Sequence, residues 1–187
     1  IKPEEFISVI EITKGSKNKY ELDKETGMLR LDRVLYTSTH YPANYGFIPL
    51  TYAEDNDPLD VLVLCQEGIA PLTITNCYPI GVIKMIDNGE IDEKIIAIPI
   101  KDPSMSGYND ISELPSHLLN EIAHFFEVYK FLEDKHTAIN EIGNIITEQD
   151  DINSAKLKLK NTKLIKDYNS FYNKEELTEL ANKIVGK

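Results

Sequence analysis

Apolar residues change their spacing near residue 115 of the chain. Up to residue 100 they occur in short runs bounded by turn residues, a pattern typical of β-strands. Over residues 115–132 they recur three or four positions apart, which predicts an amphipathic helix with Pro115 at its first position. Many short strands at regular intervals favour a closed barrel over a parallel sheet. We therefore predict a mainly β fold with helices, of the α+β class.

Six segments are predicted as strands: residues 6–12, 19–22, 28–36, 59–64, 74–86 and 95–100. Residues 23–27 join the second and third of these and are typical of a hairpin turn. Residues 41–49 are rich in proline, glycine and aromatic side chains and are predicted to be irregular. Residues 87–93 are predicted to form a polar loop between the last two strands.

The length of the chain, 187 residues, suits one domain with a buried core and is short for two. We predict a single domain over residues 1–187. Residues from about 134 to 187 are expected to form a divergent C-terminal extension of strand and helix, with a helix cap at Asn173 and a strand at 136–142.

Charge and composition exclude several classes of function. A net charge of -11 disfavours binding to nucleic acid or anionic membranes and is compatible with divalent cations. No apolar run reaches the roughly 18 residues that a membrane span needs. The two cysteines, Cys65 and Cys77, form neither a disulfide framework nor a zinc pattern. We predict a cytoplasmic protein with no membrane and no nucleic-acid partner.

The densest polar motif contains the three carboxylates Asp55, Asp57 and Asp60. Alternate residues of an extended segment share a face, so Asp55 and Asp57 are expected to lie on the same side. Crowded carboxylates stay ionised when cations neutralise them, and hard cations such as Mg²⁺ prefer oxygen ligands. Taken alone, the motif is also typical of a solvated acidic turn that precedes a strand.

A second acidic group, Asp87 and Asp92, lies in the predicted loop and is followed by Lys94. The two carboxylates reach a common centre if the loop curls, and the lysine offers them a positive partner. The alternative is an ordinary polar hairpin loop.

Basic residues of the predicted hairpin are arranged to bind an anion. Lys19 and Glu21 share one face of a strand, and Arg33 lies in the next strand, close enough to join them. Arginine binds phosphate with two parallel hydrogen bonds, which lysine does not. A surface network of salt bridges is the alternative.

Four further residues combine apolar bodies with polar ends. Tyr41 and Tyr45 carry hydroxyls that need partners if the rings are buried. Tyr129 and Lys130, near the end of the predicted helix, are placed to direct polar groups into a site at the helix edge.

Residues 55–60 resemble the Asp-x-Asp-Pro-x-Asp signature of the soluble family I inorganic pyrophosphatases. The resemblance extends from about Phe6 to Lys130 and keeps the order and spacing of the family's motifs. It includes residues 19–24, 32–33, 41–46, 81–85 and 122–130.

The resemblance implies an OB-like closed five-stranded β-barrel with helices packed outside it. It also implies magnesium-dependent hydrolysis of pyrophosphate to two phosphates, by direct attack of a metal-activated water. Expected partners are pyrophosphate and phosphate, in a homo-oligomer that is a hexamer in preference to a dimer. About three to four Mg²⁺ ions are expected per active site with substrate, with Mn²⁺ or other divalent ions as alternatives.

Residue roles follow from the same resemblance. The metal ligands are Asp55, Asp60, Asp87, Asp92 and Glu21. The substrate-binding residues are Lys19, Arg33, Tyr45, Lys94, Tyr129 and Lys130. Asp57 is expected to accept the proton of the attacking water, with Tyr45, Arg33 and Lys94 also catalytic. Glu11 and Tyr41 are expected to support the site.

Asn88 departs from the family pattern, since many members carry an acidic residue there. Two other functions stay open from the residues alone. One is a metal-dependent phosphohydrolase of nucleotides. The other is an OB-like module that binds nucleic acid, which the negative charge disfavours.

Overall fold

Strands dominate the computed structural model, which describes residues 5–53, 57–87, 90–133 and 137–138. The strands are β1 (Phe6–Ile12), β2 (Asn18–Leu22), β3 (Leu29–Val34), β4 (Asn44–Phe47), β5 (Asp60–Val63), β6 (Ile74–Asp87), β7 (Glu90–Pro99) and β8 (Thr137–Ala138). The helix α1 spans Ser116–Val128, and short 3-10 turns lie at Ile111–Glu113 and Phe131–Glu133. The prediction of a mainly β, α+β fold is confirmed.

Most strands belong to one sheet, paired in the order β1-β4-β5-β7-β6-β8. β6 also pairs with β1, so the pairing order β1-β4-β5-β7-β6 leads back to β1. The β5–β7 pair is parallel, and the other pairs are antiparallel. β2 and β3 form a separate hairpin, as the turn at residues 23–27 predicts.

Two apolar clusters form the core, and β5 contributes to both. Leu62 and Leu64 pack in the cluster that includes α1, whereas Val61 and Val63 pack in the cluster on the opposite face. Because side chains alternate between the faces of a strand, a strand that is buried on both faces has a continuous apolar run. This explains the unbroken apolar run of residues 61–64.

Gly46 in β4 lies against the backbone of β1. A Cβ atom at this position would overlap the carbonyl oxygen of Val9, which belongs to the ladder and has no room to shift. Gly46→Ala is therefore expected to lower the free energy of unfolding by about 3 kcal/mol, measured by urea unfolding. Gly107→Ala is the control, because a Cβ there meets nothing within 4 Å. Equal stability of the two variants would contradict this packing.

Three sequence predictions differ from the structure. Residues 41–49, predicted to be irregular, contain β4, which is held between β1 and β5 by backbone pairing that a local pattern does not reveal. Residues 87–93, predicted to be a loop, lie largely in strands, because β6 ends at Asp87 and β7 begins at Glu90. The helix begins one residue after Pro115 and ends at Val128 rather than at residue 132.

Within the described part of the chain, no helix is long and apolar enough to cross a membrane. Of the strand predicted at 136–142, the structure describes Thr137–Ala138 as β8. The predictions for residues 151–187, including the helix cap at Asn173, lie outside the described residues, as does Asn88.

Candidate active site

Lys94 is the centre of a polar cluster that three neighbouring strands build. Its Nζ lies 2.7 Å from Asp60 Oδ2, 2.8 and 3.0 Å from the carboxylate oxygens of Asp92, and 3.0 Å from the hydroxyl oxygen of Tyr45. The Tyr45 hydroxyl in turn donates to Asp60. Asp60 and Lys94 are direct partners in the parallel β5–β7 pair, and β4 supplies Tyr45 next to β5. Pairing register thus brings together residues that are up to 49 positions apart.

Burial and charge fix the protonation states in this cluster. The Lys94 side chain is 3% exposed, which opposes its charge, but the carboxylates of Asp60 and Asp92 outweigh burial and raise its pKa. Burial raises the pKa of the Tyr45 hydroxyl well above its usual value, and the charges of Asp60 and Asp92 add to this shift. Lys94 therefore stays a cation near neutral pH, and Tyr45 stays a hydrogen-bond donor.

Burial and neighbouring charges also act on the Asp92 carboxylate. Burial raises its pKa, Lys94 lowers it, and the charges of Asp60 and Asp87 raise it again. Carboxylates that repel one another in this way are stabilised when further cations bind near them.

A second ion pair joins Lys130 to Asp87 at the end of β6. Lys130 Nζ lies 2.5 Å from Asp87 Oδ2 and 5.3 Å from the centre of the Tyr129 ring. The other oxygen, Asp87 Oδ1, is buried and has no hydrogen-bond partner among the described residues. An unpartnered carboxylate oxygen is costly, so a ligand that this oxygen could bind would stabilise the site.

The hairpin carries a network of four charged residues. Lys19 pairs with Glu21 on the same face of β2, and its Nζ lies 3.2 Å from Asp32 Oδ2. Arg33 pairs with the same oxygen of Asp32 and, through Nε, with Glu133 Oε1 at 2.9 Å. Lys19 and Arg33 are opposite each other in the β2–β3 register, which confirms that they share this side of the hairpin.

Glu11 connects the large sheet to the hairpin. Its Oε1 accepts a hydrogen bond from the backbone N–H of Leu22 at 2.7 Å. Burial raises the pKa of Glu11 to about 7, with smaller contributions from the charges of Asp60 and Glu21. The residue lies in the same electrostatic environment as the Lys94 cluster, consistent with the supporting position expected for it.

Asp57 is an exposed carboxylate that contacts the hairpin. It precedes β5, its side chain is 70% exposed, and its Oδ1 lies 3.3 Å from Lys24 Nζ. Asp55, the first carboxylate of the motif, is outside the described residues. Among the residues that are described, no three acidic, histidine or cysteine side chains converge as a metal site.

Aromatic rings form the wall between the site and the core. Tyr41 is buried with its ring centre 4.7 Å from that of Phe125, and Tyr129 stacks on Phe125 at 5.1 Å. Lys94 Nζ lies 5.7 Å from the centre of the Phe126 ring. The apolar face of α1 therefore packs on the sheet and also covers the buried ammonium group of Lys94.

Two residues of the site were missed at the sequence level, Asp32 and Glu133. Asp32 had a signal, since it precedes Arg33 within a matching motif and shares its strand. Glu133 had none, because it is 100 positions from Arg33 and follows a helix whose end was predicted too late.

One family of proteins is similar to this chain over most of its length. The sequence profile described as "Inorganic pyrophosphatase" matches residues 8–178, beyond Lys130, where the resemblance in the sequence alone ended. The soluble inorganic pyrophosphatase 1 of Arabidopsis thaliana is 55% identical over 139 residues, which is 74% of this chain and 66% of that protein. The soluble inorganic pyrophosphatase of Zea mays is 56% identical over 138 residues, 74% of this chain and 64% of that protein. The chain thus spans slightly less than two thirds of the length of these two relatives.

A solved structure shows the same similarity in three dimensions. The crystal structure of the inorganic pyrophosphatase from Thermus thermophilus matches with a TM-score of 0.77 at 36% identity, covering 84% of this chain and 88% of that one.

Proposed function

Because this chain belongs to the inorganic pyrophosphatase family, we propose that it hydrolyses pyrophosphate to two phosphates with the help of divalent metal ions. The observation that carries the proposal is the cluster in which Lys94 contacts Asp60, Asp92 and Tyr45. It combines a buried cation with carboxylates and a hydroxyl donor, as binding of a small, metal-bound polyanion requires.

The donor set of the site fits a hard divalent ion. Asp87 Oδ1 is a buried carboxylate oxygen without a partner among the described residues, and Asp60 and Asp92 supply further oxygens nearby. We propose Mg²⁺ as the metal, held by Asp60, Asp87 and Asp92 together with Asp55 and Glu21. When bound, the ions would lower the pKa of a water molecule and neutralise charge on the phosphates, and about three to four per site would be present with substrate. Mn²⁺ or another divalent ion is the alternative.

The basic residues bind and orient the substrate. Lys94 and Lys130 approach it from the sheet and from the end of α1, while Lys19 and Arg33 approach it from the hairpin. Arg33 is suited to a planar contact with two phosphate oxygens. The Tyr129 hydroxyl, which keeps its proton because burial raises its pKa, donates a hydrogen bond to a phosphate oxygen. The Tyr45 hydroxyl also keeps its proton because burial raises its pKa, and it would donate to a phosphate oxygen after turning that proton away from Asp60.

Asp57 is proposed to accept the proton of the attacking water. Its carboxylate is exposed next to Lys24, and it precedes the strand that carries Asp60. A general base must be able to reach the water from which it takes the proton, and the exposure of the Asp57 carboxylate to solvent supports the proposal. Glu11 and Tyr41 hold the surrounding backbone and rings in place.

We further propose that β1, β4, β5, β6 and β7 form an OB-like closed barrel. Their pairing order, β1-β4-β5-β7-β6 and back to β1, is that of a five-stranded Greek-key barrel with one parallel pair. In such a barrel none of these five strands would have an unpaired edge. The candidate site lies where β4, β5 and β7 adjoin one another.

A comparison of substrates tests the proposed function. Phosphate release from pyrophosphate, with Mg²⁺ present, is expected to exceed release from ATP by at least about 10³-fold, since the charged groups of the described part of the site suit a small polyanion. Faster release from ATP would favour the nucleotide phosphohydrolase. Salt-sensitive binding of single-stranded DNA would favour the nucleic-acid-binding module. We also predict a homo-oligomer, with a hexamer favoured over a dimer, and the mass in solution tests this. A cytoplasmic location stays a prediction.

A further inference from the structure

Carboxylates hold Arg33 from two sides. Its Nη1 donates to Asp32, the preceding residue in β3, and its Nε donates to Glu133 Oε1 at 2.9 Å. The second contact spans 100 positions and joins the hairpin to the 3-10 turn after α1. None of the roles proposed above includes Glu133.

Burial makes the contact between Arg33 and Glu133 strong. The Glu133 side chain is 7% exposed and that of Arg33 is 20% exposed, so the buried charge of Glu133 is compensated by Arg33, while Arg33 is compensated by Glu133 and Asp32 together. Burial opposes the charge on Arg33, but the hydrogen bonds and charges of Glu133 and then Asp32 together outweigh burial and raise the Arg33 pKa. Removing Glu133 would leave Arg33 held by Asp32 through Nη1 alone, with no acceptor at Nε.

The contact leaves one side of the guanidinium available. Arginine has five N–H groups, and the two carboxylates engage Nε and Nη1. Among the described residues, none accepts a hydrogen bond from Nη2. Lys19 lies opposite Arg33 in the hairpin and contacts the same Asp32 oxygen, so the available N–H groups lie beside a second cation.

The turn that contains Glu133 also contains Lys130, another cation of the site. The Glu133 backbone N–H donates to the Lys130 carbonyl oxygen at 2.9 Å, which closes the turn. Lys130 contacts Asp87 in the sheet and Glu133 contacts Arg33 in the hairpin. One short turn therefore contacts both the sheet, through Lys130, and the hairpin, through Glu133.

We propose that Glu133 is a positioning residue, which holds the Arg33 guanidinium so that its Nη groups face a phosphate of pyrophosphate. The inference rests on the proposed function and assigns a residue to it. Glu133 touches neither substrate nor metal. Its effect passes through Arg33, because a hydrogen bond to Nε fixes the rotation of the planar group.

A double-mutant cycle tests the inference. In the parent, Glu133→Ala is expected to lower kcat/KM for pyrophosphate about tenfold, mainly through KM, because a misaligned arginine loses its paired hydrogen bonds. Glu133→Gln keeps an oxygen that can accept from Nε and is expected to recover the value to within about threefold. In an Arg33→Ala background, Glu133→Ala is expected to change kcat/KM by less than about twofold.

The control is Glu127→Ala, which removes an exposed carboxylate from α1 and is expected to leave kcat/KM within about twofold of the parent. If Glu133→Ala costs the same factor with and without Arg33, Glu133 acts independently of the arginine and the inference is wrong. An unchanged kcat/KM for Glu133→Ala in the parent would also overturn it. If Glu133→Ala does not fold, Glu133→Met, which keeps the length of the side chain and removes the acceptor, takes its place in the cycle.

Binding of inorganic phosphate separates the inference from the proposed function. Calorimetry on the same variants is expected to show about tenfold weaker phosphate binding for Glu133→Ala only where Arg33 is present. A parent that binds phosphate with this pattern but does not hydrolyse pyrophosphate would contradict the function and keep the inference. If the parent is active and Glu133→Ala binds phosphate as tightly as the parent does, the inference is wrong and the proposed function stands.

Discussion

Asp57→Asn is expected to reduce kcat for pyrophosphate by about 10²- to 10⁴-fold, the factor that a positioned general base contributes. Asparagine has nearly the same size but cannot take up a proton at neutral pH. Because the Asp57 side chain is 70% exposed, the substitution leaves the core and the Lys94 cluster intact. Stability is therefore expected to stay within about 0.5 kcal/mol of the parent.

Steady-state kinetics and urea unfolding of the same preparations measure both effects of Asp57→Asn. Glu127→Gln is the control for loss of one exposed carboxylate, and it is expected to keep the parent rate. A kcat for Asp57→Asn equal to that of the parent would show that another group accepts the proton.

Lys94→Met is expected to affect both catalysis and stability. The side chain is 3% exposed and lies against two carboxylates, so methionine would leave Asp60 and Asp92 close together without the cation between them. Removal of one partner from a buried ion pair costs about 3–5 kcal/mol. Loss of a preorganised charge at the reacting phosphate is expected to lower kcat/KM by about 10²- to 10³-fold.

Two further variants separate these effects of Lys94→Met. Lys101→Met removes an exposed lysine and is expected to keep both activity and stability. Lys94→Arg keeps the charge in a larger, planar group, so it is expected to retain most of the stability and to lose about tenfold in kcat/KM. Parent-like kinetics and unfolding for Lys94→Met would show that this cation is not central to the site.

Local patterns predicted the strands and the helix that have a strong apolar period. Residues 6–12 and 59–64 form strands close to the expected ends, because their side chains contact the core on one or both faces. β4 was missed because its four residues, flanked by prolines, gain their conformation from β1 and β5. The polar composition of residues 87–93 predicts a loop, whereas residues 90–93 are extended because they pair with β6.

The sequence also indicated most of the polar residues of the site but not how they pair. Lys94 was expected to accompany Asp87 and Asp92, whereas the structure pairs it with Asp60 and Asp92 and gives Asp87 to Lys130. The register of the parallel β5–β7 pair decides this, and no local motif encodes that register. Glu133 depends in the same way on the packing of the turn after α1 against the hairpin.

Hydrolysis of pyrophosphate by the purified chain, with its metal removed and returned, tests the central claim most directly. Phosphate release is measured in excess chelator and again after Mg²⁺ is added beyond the chelator's capacity. We expect release to fall to the uncatalysed rate in chelator and to return with Mg²⁺, while the unfolding transition shows that the chain stays folded throughout. Hydrolysis that persists in excess chelator, or that does not occur even with Mg²⁺, would contradict the proposed metal-dependent pyrophosphatase.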